Sequence, residues 1–325
     1  MMRRCVQLVA PLHANVVIGL LATLLFLGCA GPAPRDILLG SIDQAPPPQC
    51  GEAALIEPWS CMGFDGLCIR TNRWDICTTI MQPTLHARLP VAMESALATM
   101  RATFDTAEFT LPEPSQTMTT CLMSDRRQWS NLAKVILPAH ARTMQGLGRG
   151  GFTSQGVALL YDIDRRSHCR DTMALALHEG WHQYAQTALP RSLPHWVDEG
   201  LATVMEGFVL HPDRVEIDHT ANRQRQRRAW WMLRRGRMQS LRDFANDDPH
   251  AAMDRGQSAL LDYYGQAWAL MRFMLDDPDR TERIRAILAT AATDRSSPAS
   301  GLEDPSLDEE FRQWCLQNLR PGWWR

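Results

Sequence analysis

An apolar run at residues 173–177 leads directly into His178, Glu179 and, one helical turn later, His182. On a helix, positions i and i+4 share a face and lie about 6 Å apart along the axis. Two imidazoles so placed can reach one zinc ion at about 2.0–2.1 Å. Glu179 sits about 100° around the same helix. Its carboxylate can therefore stand beside such an ion and act as a general base on bound water. The competing reading is a hydrogen-bonded histidine pair on a buried helix. That reading leaves Glu179 as a buried charge in need of a partner, which is costly. A metal site accounts for all three polar groups at once. In a chain with ten histidines, the H-E-x-x-H spacing arises by chance about once or twice in a hundred such sequences.

The chain carrying this motif has 325 residues, enough for one large domain or two modest ones. It is 45% hydrophobic and 22% charged, so it can bury a core. A formal net charge of -2 provides no global field that would favour nucleic acid, and no nucleic-acid partner is expected. The local run of Arg223, Arg225, Arg227, Arg228, Arg234, Arg235 and Arg237 beside Trp230 and Trp231 could meet anionic lipid or a nucleic-acid backbone. The expectation is a solvated helix with an aromatic inner face.

Arg3 and Arg4 precede a nearly all-apolar stretch at residues 16–27, which ends on Gly28 and Cys29. Residues 1–28 read as a secretory signal peptide, too short to span a bilayer comfortably. An ordinary signal peptide or a single membrane anchor is the alternative. Residues 26–29, Phe-Leu-Gly-Cys, resemble the bacterial lipobox. That resemblance implies a lipid on Cys29, attachment to a membrane through it and, with Ala30 next, the outer membrane of a bacterial cell envelope. Residues 29–49, which include Pro32, Pro34, Pro46, Pro47 and Pro48, read as an extended tether.

Cys50, Cys61, Cys68 and Cys77 then fall within a segment, 50–85, where Pro, Gly and Trp blur any helix or strand pattern. Outside the cytosol such a cluster reads as a framework of two disulfides, with three pairings open. The wide spacings argue against a second zinc site.

Beyond this segment, helical spacing covers residues 89–104, 126–136 with Asp125 as cap, and 171–189 ending before Pro190. Strands are expected at 116–123 and 157–161, separated by a glycine-rich loop. A shorter helix at 196–208 follows, and then helices at 222–235, 261–275, 280–292 and 307–318. The expected fold is α+β: a small N-terminal sheet with the motif-bearing helix, and a mostly helical C-terminal half, within a domain at 86–325.

Seventeen residues past His182 comes Glu199, and its segment Trp196-Val197-Asp198-Glu199-Gly200-Leu201-Ala202 resembles the W-x-x-E-G-L-A segment of bacterial gluzincin peptidases, which follows H-E-x-x-H. The resemblance implies a zincin-like fold, Glu199 as the third zinc ligand, and Glu179 activating a zinc-bound water to cleave a peptide or protein substrate. His195 and Asp198 are rival ligands. Where that family places an Asp four residues after the Glu, this chain has Thr203, so the group that orients the histidines is open. Tyr263-Tyr264-Gly265-Gln266-Ala267-Trp268 resembles the Y-x-Q-x-W helix of the gluzincin-like bacterial family called domain of unknown function 1570. It implies Tyr264 as a donor to the oxyanion; packing on the core is the alternative. The likeness runs over residues 86–290. By analogy, the strand at 157–161 would be an edge strand that pairs with substrate. The reading from another class is a zinc-binding surface lipoprotein that binds a partner without cutting it.

Overall fold

The computed structural model describes residues 54–136, 150–163, 169–211, 215–293 and 301–320. All of them belong to one unit, 32–325. The signal peptide, Cys29, the tether and Cys50 lie outside the described residues.

Six strands form the central sheet in the order β1-β2-β3-β4-β6-β5. β1 (Leu55–Cys61), β2 (Phe64–Arg70) and β3 (Trp74–Thr78) make an antiparallel meander. β3 is parallel to β4 (Met118–Met123), and β4 is parallel to β6 (Val157–Tyr161). The short β5 (Phe152–Ser154) closes one edge, antiparallel to β6. Parallel pairs need crossovers, and helices α1 (Pro83–Phe104) and α2 (Arg126–Ile136) supply them. Asp125 accepts from the Gln128 amide, as its expected capping role requires.

Alternation along the strands divides the core. Trp74, Ile76, Met118, Leu122 and Leu160 face α1 and the motif helix α3 (Arg170–Ala188). Cys77, Cys121, Met123, Leu159 and Tyr161 face the opposite way, onto Trp129 and Leu132 of α2. One buried amide ties α3 to the sheet. Gln183 donates to the Thr119 and Gly156 carbonyls at 2.8 and 2.9 Å. Its oxygen accepts from Thr120 Oγ1 at 2.9 Å and Trp74 Nε1 at 3.3 Å. Gln183→Leu would strand several of these buried groups. It should cost about 2–4 kcal/mol, seen as a lower urea midpoint at unchanged m-value; an unchanged midpoint would remove Gln183 as the tie.

After α3 come α4 (His195–Met205), a hairpin of β7 (Phe208–Leu210) and β8 (Val215–Ile217), and α5 (Arg223–Arg234). Two short helices, α6 (Leu241–Ala245) and α7 (Pro249–Asp254), precede the long α8 (Gln257–Leu275), which packs against α4 and α5. α9 (Pro278–Ala292) and α10 (Pro305–Asn318) complete the described chain. α4 lies so close to α8 that a Cβ at Gly200 would stand 2.9 Å from Met271 Cε and 3.1 Å from its Cβ. The glycine of the E-G-L-A segment is thus a packing requirement.

The α+β expectation agrees with this architecture, with three corrections. The segment read as patternless carries β1–β3, built into the main sheet. β6 is an interior strand and β5 is the edge, so the substrate-pairing role expected of 157–161 does not fit that strand. The helix expected to reach Phe208 stops at Met205, and Phe208 opens a strand. Of the four cysteines expected to form two bridges, Cys50 lies outside the described residues, and the sulfurs of Cys68 and Cys77 are in contact without a bond between them. Among the described residues, no helix is long and apolar enough to cross a membrane.

Candidate metal centre

α3 and α4 pack together, and their facing sides bring His178, His182 and Glu199 to one point. His178 and Glu199 are buried; His182 is nearly so. His178 Nε2 and His182 Nε2 are 3.3 Å apart. Each lies 3.4 Å from Glu199 Oε2. The three donor atoms therefore form a nearly equilateral triangle. An ion bonded tetrahedrally at about 2.0–2.1 Å holds its ligand atoms about 3.3–3.4 Å apart, which is the spacing found.

Hydrogen bonding on the far side of each ring fixes what faces the centre. Glu206 Oε1 lies 2.9 Å from His178 Nδ1, and Asp198 Oδ2 lies 3.2 Å from His182 Nδ1. A carboxylate only accepts, so each Nδ1 carries a proton; with a cation at the centre each ring would be neutral and turn a lone pair at Nε2 toward it. Glu199 Oε2 is buried without a hydrogen-bond partner. With both rings neutral, three electron-rich atoms converge on one point, a poor arrangement unless a proton or a cation lies among them. The charge balance agrees. Burial disfavours a charged His178, yet Glu199 and Glu206 outweigh it and raise its pKa to about 9. Burial likewise opposes the charge on Glu199, but the two histidines hold its carboxyl well below the usual range. The site stabilises positive charge at its centre.

Glu206 answers the question left by Thr203, whose hydroxyl merely donates to the Gly200 carbonyl. It stands at the C-cap of α4, seven residues and about two turns past Glu199, on the same side. It accepts from Asn222 Nδ2 at 2.6 Å and from Arg225 Nε and Nη2 at 2.9 and 2.7 Å. Burial opposes its charge, but Arg225 first and then His178 bring its pKa down to about 2. Arg225, read from the sequence as part of a solvated basic run, instead turns inward. The sequence signal for Glu206 was its i+7 spacing; nothing local marked Arg225 apart from its neighbours. Glu206→Gln should weaken metal affinity about 10–100-fold, measured by competition with a chromophoric chelator. No change would exclude Glu206 as an orienting group.

The rival ligands separate cleanly. His195 is exposed and outside the cluster. Asp198 accepts from Trp181 Nε1 at 2.8 Å through one oxygen and faces His182 through the other, so it orients that ring. Glu179 is buried beside the triangle, and its Oε2 accepts from Thr153 Oγ1 of β5 at 2.6 Å. A Cβ on Gly151 would come within 2.9 Å of the Glu179 carboxylate, so the chain approaches it closely there. The Tyr264 ring meets His178 edge to face, with centroids 5.6 Å apart, and the Arg225 guanidinium lies over the Tyr264 ring, 5.0 Å from its centroid. Burial, and then the Glu199 charge, hold its hydroxyl protonated far above neutral pH. Tyr263 points elsewhere, against Phe244.

His178, His182 and Glu199 thus form a buried group that could hold a metal ion. No curated protein matches the chain. Residues 172–298 match a family model described as Protein of unknown function (DUF1570). That span contains the three convergent residues together with Asp198, Glu206, Arg225 and Tyr264, and the match supports assigning this part of the chain to the DUF1570 family.

Proposed function

We propose that this chain is a zinc-dependent peptidase of gluzincin type. It would act on peptide or protein substrates at the bacterial cell envelope, tethered through a lipid on Cys29. The observation that carries the reading is the triangle of His178 Nε2, His182 Nε2 and Glu199 Oε2, with sides of 3.3, 3.4 and 3.4 Å. Nitrogen and oxygen donors at that spacing suit zinc. Three protein ligands leave the fourth position for water or substrate, as in catalytic rather than structural sites.

Bound there, zinc would polarise a substrate carbonyl and lower the pKa of water to about 7. Glu179, next to the triangle but outside it, takes a proton from the attacking water and delivers it to the leaving amine. Thr153 donates to one carboxylate oxygen, which would leave the other for this exchange. Tyr264, kept protonated, can donate to the developing oxyanion. The edge strand β5, whose Thr153 hydroxyl donates to Glu179, is where an extended peptide could add as a further strand.

The test is digestion of a peptide library by protein purified without added metal, with and without a chelator. Cleavage that the chelator abolishes and zinc restores supports the proposal. Bound zinc with no cleavage of any peptide would overturn the peptidase reading in favour of a binding module.

A further inference from the structure

On the sheet face opposite α3, three cysteines stand in one row across neighbouring strands. The register pairs Cys68 of β2 with Cys77 of β3, and Cys77 with Cys121 of β4. All three are fully buried, in the cluster formed with Trp59, Met123 and Trp129. The sulfurs of Cys68 and Cys77 are 3.0 Å apart. None of these thiols faces the metal centre.

We propose that Cys68 and Cys77 are joined as a cross-strand disulfide in the mature protein, formed during folding, while Cys121 stays a thiol. The assignment stands independently of the peptidase reading. Directly opposed residues of an antiparallel pair have Cα atoms about 4.5 or 5.5 Å apart. Both values lie within the range of about 4.4–6.8 Å that a disulfide spans. The sulfurs need to close by only about 1 Å to reach bonding distance, within reach of small side-chain rotations. Cys77 also hydrogen-bonds with Cys121, but that partner lies on a parallel strand.

In the step, each thiol loses its hydrogen and one S–S bond forms; two protons and two electrons leave. The electrons reduce a disulfide of a small molecule or of an oxidoreductase to two thiols. In the finished fold, hydrogen bonding to Cys77 and then burial keep Cys68 protonated, and burial does the same for Cys77. A protonated thiol is a poor nucleophile. Exchange therefore belongs to the stage before α2 covers the row, and the same burial then shields the bond from reductants. An oxidising compartment, which export through residues 1–28 would supply, is the setting this chemistry requires.

The experiment uses the full chain, refolded from denaturant in a mixture of oxidised and reduced glutathione. Free thiols are then alkylated in denaturant, and the protein is digested with trypsin. Cleavage after Arg70 and Arg73 separates the two cysteines. The bridge should appear as a linked pair of peptides, lighter than their sum by two hydrogens. Fragmentation should place the link on Cys68, not Cys61 or Cys50, with Cys121 alkylated. The Cys121→Ser variant should retain the link, and the paired change Cys68→Ser with Cys77→Ser should lower Tm by about 5 °C or more. Cys77 recovered alkylated, or linked to any other cysteine, overturns the assignment.

Discussion

Replacing Glu179 by Gln should lower peptide turnover roughly one hundred- to ten thousand-fold while leaving zinc content unchanged. The range is what a positioned general base contributes. The substitution keeps the shape of the side chain and an oxygen able to accept from Thr153 Oγ1, which lies 2.6 Å from Oε2 in the native chain. It removes only the capacity to take up a proton. Glu179 lies outside the three-atom triangle, so metal binding should not notice the change. Initial rates on a cleaved peptide, together with metal analysis of the same preparation, test both halves. Turnover at the native rate would remove Glu179 from the mechanism. Loss of zinc would mean that it serves the metal rather than the water.

Glu199→Ala should reduce zinc affinity by at least about 100-fold, more than the loss of any orienting group behind the ligands. The reason is geometric. Glu199 Oε2 is the vertex 3.4 Å from both imidazole nitrogens, and no other carboxylate joins that group among the described residues. Without it, two neutral rings must hold the ion alone. His195→Ala is the matched control, because His195 is exposed on the first turn of the same helix. Thermal denaturation offers a second readout. Zinc at one hundred times its Kd should stabilise the native protein by about 2.7 kcal/mol, and the Glu199 variant should show no such shift at that concentration. Full zinc content in Glu199→Ala, or its loss in His195→Ala, would place the metal elsewhere.

The pattern of the chain was most legible where one side of an element is buried and the period is clean. α3 was expected at residues 171–189 and runs over Arg170–Ala188; β4 and β6 fell inside the expected segments. The first three strands were hidden for a physical reason. β3 is buried along its whole length, so it does not alternate, and its Asp75 lies 3.6 Å from Arg70 of β2. A charge neutralised across strands looks, in one dimension, like a surface residue. The edge strand escaped notice because β5 has three residues set among glycines, and its role depends on pairing with β6.

The sequence by itself determined that two histidines and a glutamate would share one helix, because the helical period decides which positions meet along a single element. It also carried a segment whose likeness to known peptidases pointed to Glu199. Only the tertiary structure decided that Glu199 closes the triangle while Asp198 beside it turns to His182, and that Glu206 and Arg225 complete the support behind His178. Those contacts join α3, α4 and α5. Their distances follow from how closely helices pack, as where Gly200 lets α4 approach Met271, and no local pattern in the chain encodes them.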